Sequence, residues 1–162
     1  QKHLSRPLPT ASGKIELSST YLKKRGFSAL PEYLPPYHLR EKSDEYPFIL
    51  TTGARKTLLY HSRNQNFEHF RKVHPRAQVE IHPDDASALG IVDQEPVRIV
   101  SRTGALVVEA KIVHKNELRK GVIEMYHGWQ EWRINFATLD QINDPISGFP
   151  LLKGVPVRLE KI

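Results

Sequence analysis

The sequence predicts a mainly β fold, a small barrel of roughly six short strands with one or two short helices. Short segments of alternating apolar and polar residues recur after residue 46, and turn-forming residues separate them. Only one segment, 82–90, combines the start and stop signals of a helix. Many short strands with few helices are typical of small closed β architectures.

The predicted strands follow one another from Phe48 to the last residues of the chain. Phe48–Thr52 is apolar and β-branched, and Gly53 ends it. Thr103 and Gly104 form a turn between two alternating segments, which predicts a β-hairpin. The predicted strands are Phe48–Thr52, Val79–Ile81, Val97–Ser101, Ala105–Val113, Gly121–Tyr126 and Val155–Leu159.

The predicted helix lies between the second and third strands. Pro83 suits its first position, Asp84 and Asp85 suit its positive amino end, and Gly90 suits the position that follows its last turn. The two acids and His82 do not predict a metal site, because neighbouring residues in a first helical turn point apart.

The first 46 residues have a different composition from the rest. Ile15–Leu17 follows a turn-like Ser-Gly-Lys and predicts a strand or an edge segment. Three prolines within residues 21–46 predict an extended connector without a regular helix. We therefore divide the chain into an N-terminal arm and connector from a preceding domain, 1–46, and a barrel domain, 47–162.

The first residue bears on the origin of the chain. The only methionine is Met125 and the chain begins with Gln1, so we expect an excised piece of a longer protein in preference to a processed one. A targeting signal would precede residue 1, and the cytoplasm and the periplasm of a prokaryote are therefore both compatible with the sequence.

Composition limits the kinds of function. Apolar residues make up 39% of the chain and charged residues 26%, which is enough for a core. The absence of cysteine excludes disulfides, thiolate metal sites, iron–sulfur clusters and a cysteine nucleophile within this chain. No apolar run approaches the ~20 residues of a membrane span, so we expect no direct membrane insertion.

The net charge of +6 and the pI near 9.6 predict an anionic partner. The densest basic stretch, Arg55–Arg76, is interrupted by Glu68 and by aromatic residues, unlike the clustered basic arm of many nucleic-acid-binding proteins. An anionic small ligand is therefore the favoured interpretation, and we expect no nucleic-acid partner.

Polar segments near predicted strand ends are the candidate sites. Thr51–Arg55 and Tyr60–Asn64 place hydroxyl, guanidinium and imidazole groups beside a glycine turn, which suits an anionic heteroaromatic ligand. Tyr126–Trp129 also follows a strand, although Trp129 fits a core position as well. Asn135–Phe149 predicts a long loop whose side chains bond to its own backbone. Each segment has a simpler interpretation as a polar loop or a barrel cap.

Taken together, these segments resemble the C-terminal molybdopterin-dinucleotide-binding domain of the dimethyl-sulfoxide-reductase family of molybdenum and tungsten oxidoreductases. Each motif is weak alone, but their order and spacing over nearly the whole chain are specific. The matching segments are Thr10–Leu17, Pro47–Arg55, His61–Asn64, Val79–Ala86, Leu89–Ile91, Ser101–Gly104, His127–Trp129, Asn135–Thr138, Asp144–Gly148 and Val155–Val157.

The resemblance implies a six-stranded double-psi β-barrel that binds bis(molybdopterin guanine dinucleotide) with molybdenum or tungsten, a cofactor shared with domains absent from this chain. It implies that this domain closes the active-site funnel without being catalytic alone, because the family's metal ligand lies in earlier domains. The implied cofactor-binding residues are Thr52, Gly53, Arg55, His61, Ser62, Arg63, His127, Trp129, Asn135, Asn143 and Lys153.

The partners implied by the resemblance are the remaining domains of the same oxidoreductase chain, with an iron–sulfur electron-transfer subunit as a further candidate. The motifs look most like the branch that contains polysulfide or thiosulfate reductases and acetylene hydratase. The alternative hypothesis is a free-standing β-barrel that binds a nucleotide or nucleic acid through the Arg55–Arg76 face. Binding with a steep salt dependence would distinguish it.

Overall fold

The computed structural model describes residues 6–53 and 56–162 of the chain. By their contacts, the residues form two compact units, the first ending at Pro35 and the second spanning Pro36–Ile162. None of the helices within the described ranges is long and apolar enough to cross a membrane. The proposal that the barrel domain begins at Pro47 stays a prediction.

The helices are short, as the sequence predicts, and the longest one matches the predicted helix, but the described residues contain more helices than the predicted one or two. The described helices are α1 (Thr20–Lys23), α2 (Tyr37–Glu41), α3 (Glu68–Val73), α4 (Pro83–Leu89) and a 3₁₀ turn (Ile134–Phe136).

The N-terminal predictions need two corrections. Ile15–Leu17 is not a strand; Ile15 and Leu17 are 79% and 84% exposed, and alternation without a partner strand provides no backbone hydrogen bonds. The stretch 21–46 is not wholly extended, since α1 and α2 form at its two ends. Their helical turns avoid the prolines, which lie between them or directly before α2.

Six strands close into a barrel, which confirms the predicted fold class. The barrel strands are β1 (Phe48–Thr51), β2 (Gln78–Ile81), β3 (Pro96–Val100), β4 (Ala105–Ile112), β5 (Val122–Met125) and β8 (Val155–Lys161). Their order around the barrel is β1-β5-β2-β4-β3-β8. The pairs β1–β5 and β2–β4 are parallel, and the other four pairs are antiparallel, including the predicted β3–β4 hairpin.

The core fills the inside of this barrel with β-branched and other aliphatic side chains. Ile123 of β5 lies opposite Leu50 of β1 and Ile81 of β2, and all three side chains are completely buried. Alternate residues on each strand therefore point inward, as the period of two in the sequence predicts.

Helix α4 joins β2 to β3 and is capped at both ends. The Nδ1 atom of His82 accepts a hydrogen bond from the backbone of Asp84 (3.1 Å), and Gly90 ends the helix in the left-handed conformation. The buried carboxylate of Asp85 accepts a hydrogen bond from the backbone of Gly121 (2.6 Å) just before β5. The carboxylate of Asp84 points to a different partner and lies 3.5 Å from Nζ of Lys115, so the two acids have separate structural partners.

The segment 135–149 is only partly the predicted loop. Its first half contains β6 (Leu139–Asn143), which pairs with β7 (Pro150–Leu151) in a small two-stranded sheet outside the barrel. The turn between them does bond to its own backbone, since the carboxylate of Asp144 accepts hydrogen bonds from the backbones of Ile146 and Ser147. The residues that form the turn could be predicted from the sequence, but the pairing of β6 with β7 across the turn could not.

Candidate functional site

A cleft of about 1100 Å³ lies beside the carboxyl ends of β1 and β5. Because these two strands are parallel, their carboxyl ends meet at the same edge of the barrel. The residues that follow β1, Thr52 and Gly53, therefore come beside those that follow β5, His127–Trp129. The strand pairing brings together two segments that the sequence marks separately.

Most of the predicted site residues line this cleft. Arg55 lies outside the described residues. Arg63 is not part of the lining, and its guanidinium carbon lies 5.5 Å from the ring centre of Tyr60. Asn143 lines a neighbouring cavity of about 550 Å³. The predicted residues that the cleft brings together are Thr52, Gly53, His61, Ser62, His127, Trp129, Asn135 and Lys153.

A short hydrogen-bond chain crosses the cleft wall. Nδ1 of His127 lies 2.7 Å from the carbonyl oxygen of Thr52, and Nε2 of His127 contacts Nδ1 of His61. Because the carbonyl can only accept, Nδ1 of neutral His127 carries the proton and its Nε2 accepts from His61. The chain fixes the tautomers of both imidazoles when they are neutral, with Nε2 of His61 as an acceptor.

Gly128 allows the two sides of the wall to approach each other. Its φ is +97°, and a Cβ atom there would lie 2.7 Å from the carbonyl carbon of His61. The buried side chain of Gln65 donates a hydrogen bond to the Gly128 carbonyl oxygen (2.5 Å). The loop that carries His61 is thus held against the backbone that follows β5.

Lys153 places a positive charge in the same cleft. A Cβ atom on Gly53 would lie 2.5 Å from Nζ of Lys153, so the lysine lies directly over the glycine backbone. Thr52 is fixed nearby by a hydrogen bond from its hydroxyl to the carbonyl oxygen of Leu152 (2.7 Å). An ammonium group in this position is suited to a phosphate or another anion.

Aromatic side chains form the other part of the lining. Trp129 is buried and meets Trp132 edge to face, with ring centres 5.9 Å apart, which confirms the core interpretation for Trp129. Phe136 and Phe149 remain 60% and 64% exposed at the cleft. Flat exposed rings of this kind can stack on a planar heterocycle.

Sequence reasoning missed several lining residues. Phe136 and Phe149 belong to the segment singled out as a loop, so an inspection of its aromatics would have found them. Gln130 and Arg133 lie between two predicted site residues and have no local signal of their own. The missed lining residues are Gln130, Arg133, Ile134, Phe136, Phe149 and Leu152, while Gly128 belongs to the predicted segment Tyr126–Trp129.

Next to the cleft, a half-buried cluster of charges holds the start of the same loop. Oε1 of Glu80 on β2 lies 3.2 Å from Nζ of Lys56 and 2.9 Å from Nζ of Lys111 on β4. Burial raises the pKa of Glu80, but the hydrogen bonds and charges of Lys111 and Lys56 outweigh it, and the pKa lies below its ordinary value.

We expect the substitution Glu80→Gln to destabilise the protein at neutral pH and to do so less as the medium becomes acidic. Since the folded-state pKa of Glu80 is lowered, its stabilising effect is complete above the ordinary pKa of a glutamate and disappears as the pH falls through the folded-state value. Urea unfolding between neutral pH and about pH 3 measures the difference. Glu68→Gln, an exposed change on α3, is the control, and equal pH profiles for the two variants would contradict the prediction.

The basic stretch of the sequence is largely neutralised by carboxylates. Arg71 pairs with Glu131 (2.6 Å), and Arg76 lies 3.6 Å from Glu109, in addition to the Lys56–Glu80 pair. Such pairing reduces the attraction of this face for a polyanion. Among residues 6–53 and 56–162, no group of three or more His, Cys, Asp or Glu residues could hold a metal ion.

The chain is similar to known proteins over most of its length. The sequence model of the family described as "Molydopterin dinucleotide binding domain" matches residues 48–156. Probable oxidoreductase YoaE of Bacillus subtilis (strain 168) is 32% identical over 160 residues, which is 96% of this chain and 22% of that protein. F420-dependent formate dehydrogenase 1 subunit alpha of Methanococcus maripaludis is 32% identical over 81% of this chain and 19% of its own length.

A solved structure is similar to nearly the whole chain. Acetylene hydratase from Pelobacter acetylenicus matches with a TM-score of 0.86 and 26% identity, over 96% of this chain and 24% of that chain. The chain therefore spans about a fifth of the length of the curated relatives that it matches.

Proposed function

The chain belongs to the family of molybdopterin dinucleotide binding domains, and we propose that the cleft described above is where it holds that cofactor. The observation that carries the proposal is the junction at β1 and β5, where two imidazoles, a lysine and a tryptophan line one cleft. Thr52, Gly53, His61, Ser62, His127, Trp129, Asn135 and Lys153 are the proposed binding residues.

The donor set fits the chemistry of such a cofactor. Pterin and guanine edges carry both hydrogen-bond donors and acceptors, and the paired imidazoles and the Asn135 amide offer both. A diphosphate requires positive charge, which the ammonium of Lys153 supplies in the cleft. Phe136 and Phe149 offer planar faces for the rings. Arg55 and Arg63 belong to the proposal through the family resemblance, and Asn143 through the neighbouring cavity.

We further propose that the bound form is bis(molybdopterin guanine dinucleotide) with molybdenum or tungsten, shared with other domains of a longer oxidoreductase chain. The metal supplies the redox chemistry when the cofactor is bound, and the residues of this chain bind and orient the organic part and exclude water. An iron–sulfur electron-transfer subunit is the proposed external partner. Because this chain spans only about a fifth of the length of its relatives, the comparisons support other domains of the same chain as partners.

The salt dependence of the binding affinity distinguishes the alternative, a barrel that binds nucleic acid. Its proposed basic face is the one on which Lys56, Arg71 and Arg76 already pair with carboxylates. A nucleic-acid-binding protein would lose affinity steeply as the salt concentration rises. Recognition of a guanine or pterin ring would depend on the structure of the ring and only weakly on salt.

Titration of the 162-residue chain with GDP and with pterin-6-carboxylate tests the proposal. A Trp132→Phe background leaves Trp129, in the cleft wall, as the single tryptophan, and its fluorescence reports binding. We expect saturable binding of both probes that Lys153→Ala weakens for GDP by roughly threefold to tenfold. Lys72→Ala, outside the lining, is the control. The absence of binding of both probes, or salt-sensitive binding of generic DNA alone, would overturn the proposal.

A further inference from the structure

Lys56 has an unusual environment for a lysine. Its side chain is only 14% exposed, and that of its partner Glu80 is 12% exposed. The ammonium also lies 4.1 Å from the ring centre of Tyr126, on the face of the aromatic ring. Lysine is seldom this buried unless its charge is paired, so the ammonium has one favourable position, between the carboxylate and the ring.

This position connects the two sides of the cleft. Lys56 begins the loop 56–66, which carries His61 and Ser62, while Tyr126 directly precedes His127. Further along the same two segments, His61 contacts His127. A displacement of the Lys56 ammonium would therefore move the loop relative to the residues that follow β5.

We propose that Lys56 is a positioning residue, which fixes the loop 56–66 against β2 and Tyr126 so that His61 meets His127 in the cleft wall. The effect on ligand binding rests on the proposed function, but the effect on the two histidines does not. Leu59, buried in the core, and Gln65 hold other points of the loop, so the fold does not depend on Lys56 alone.

Lys111 provides a matched control. Its ammonium contacts the same Glu80 oxygen at 2.9 Å, but it lies on β4 and not on the loop. Lys56→Met and Lys111→Met each remove one amine from Glu80. If the only role of Lys56 were to neutralise the half-buried carboxylate of Glu80, the two variants would behave alike.

The test records long-range ¹H–¹⁵N spectra of the imidazoles in the 162-residue chain, assigned with His61→Gln and His127→Gln. We expect Lys56→Met to shift the ring nitrogens of His61 and His127, Lys56→Arg to restore them, and Lys111→Met to leave them in place. In parallel, we expect the Kd for GDP to rise by roughly threefold to tenfold in Lys56→Met alone.

Equal histidine spectra in Lys56→Met and wild type, or equal perturbation by both methionine variants, would overturn the positioning role. If Lys56→Met does not fold, Glu80→Gln removes the anchor of Lys56 from the other side, and it must shift the same ring nitrogens for the proposal to stand. A wild-type chain that binds neither GDP nor pterin-6-carboxylate would overturn the proposed function, while the histidine spectra would still decide the role of Lys56.

Discussion

The substitution Gly128→Ala is expected to remove ligand binding at the cleft and to lower the free energy of unfolding by about 2–3 kcal/mol. The backbone of Gly128 has φ +97°, which an alanine adopts only with strain. The new Cβ atom would also lie 2.7 Å from the His61 carbonyl carbon and 3.0 Å from the Ser62 nitrogen. The backbone at position 128 and the backbone of His61 and Ser62 must therefore move apart, close to the contact between His61 and His127. Urea unfolding and GDP titration measure the two effects.

Gly90→Ala separates backbone strain from the steric clash. Gly90 also has a positive φ, +64°, but a Cβ atom there would meet nothing within 4 Å. We expect this control to cost about 1 kcal/mol and to leave GDP binding unchanged. If the two alanine variants were alike in stability and in affinity, the close approach of Gly128 to the His61 loop would have no role in the site.

The substitution Ile123→Ala is expected to lower the free energy of unfolding by about 2–5 kcal/mol. Ile123 is completely buried between Leu50 and Ile81, so the shortened side chain leaves a cavity that the closed barrel cannot easily fill. Ile123→Val provides a graded control, with an expected loss of about 0.5–1.5 kcal/mol. Urea unfolding followed by circular dichroism measures both losses, and equal midpoints for the two variants would contradict the expected packing.

Local features of the fold were predictable, while pairing over long distances was not. Alternation with period two marks the strands, and Pro83 and Gly90 mark α4, because these signals depend only on neighbouring residues. The two-stranded sheet of β6 and β7 escaped prediction because its turn residues dominate the local composition. Ile15–Leu17 shows the opposite error, since an alternating pattern without a partner strand does not form a strand.

In the candidate site too, residues with a local sequence signal were predictable, and contacts that depend on strand pairing were not. Thr52, Gly53 and His127 could be singled out because each lies at or directly after the end of a predicted strand, in a segment with chemistry-bearing side chains. Arg133 could not, because only the path of the loop after Trp129 brings it to the cleft. The contact of His61 with His127 depends on the parallel pairing of β1 with β5, which no local pattern specifies.

The position of β8 has a consequence for how the site forms during synthesis. This strand, the last of the barrel in chain order, pairs with β1 on one side and with β3 on the other. When a ribosome has made only the first five barrel strands, β1 has one open edge and the ring of strands is incomplete. Thr52 then also lacks its hydrogen-bond acceptor, Leu152. The cleft can therefore reach its final shape only after β8 has been made, and a ligand that requires the complete cleft can bind only after this stage.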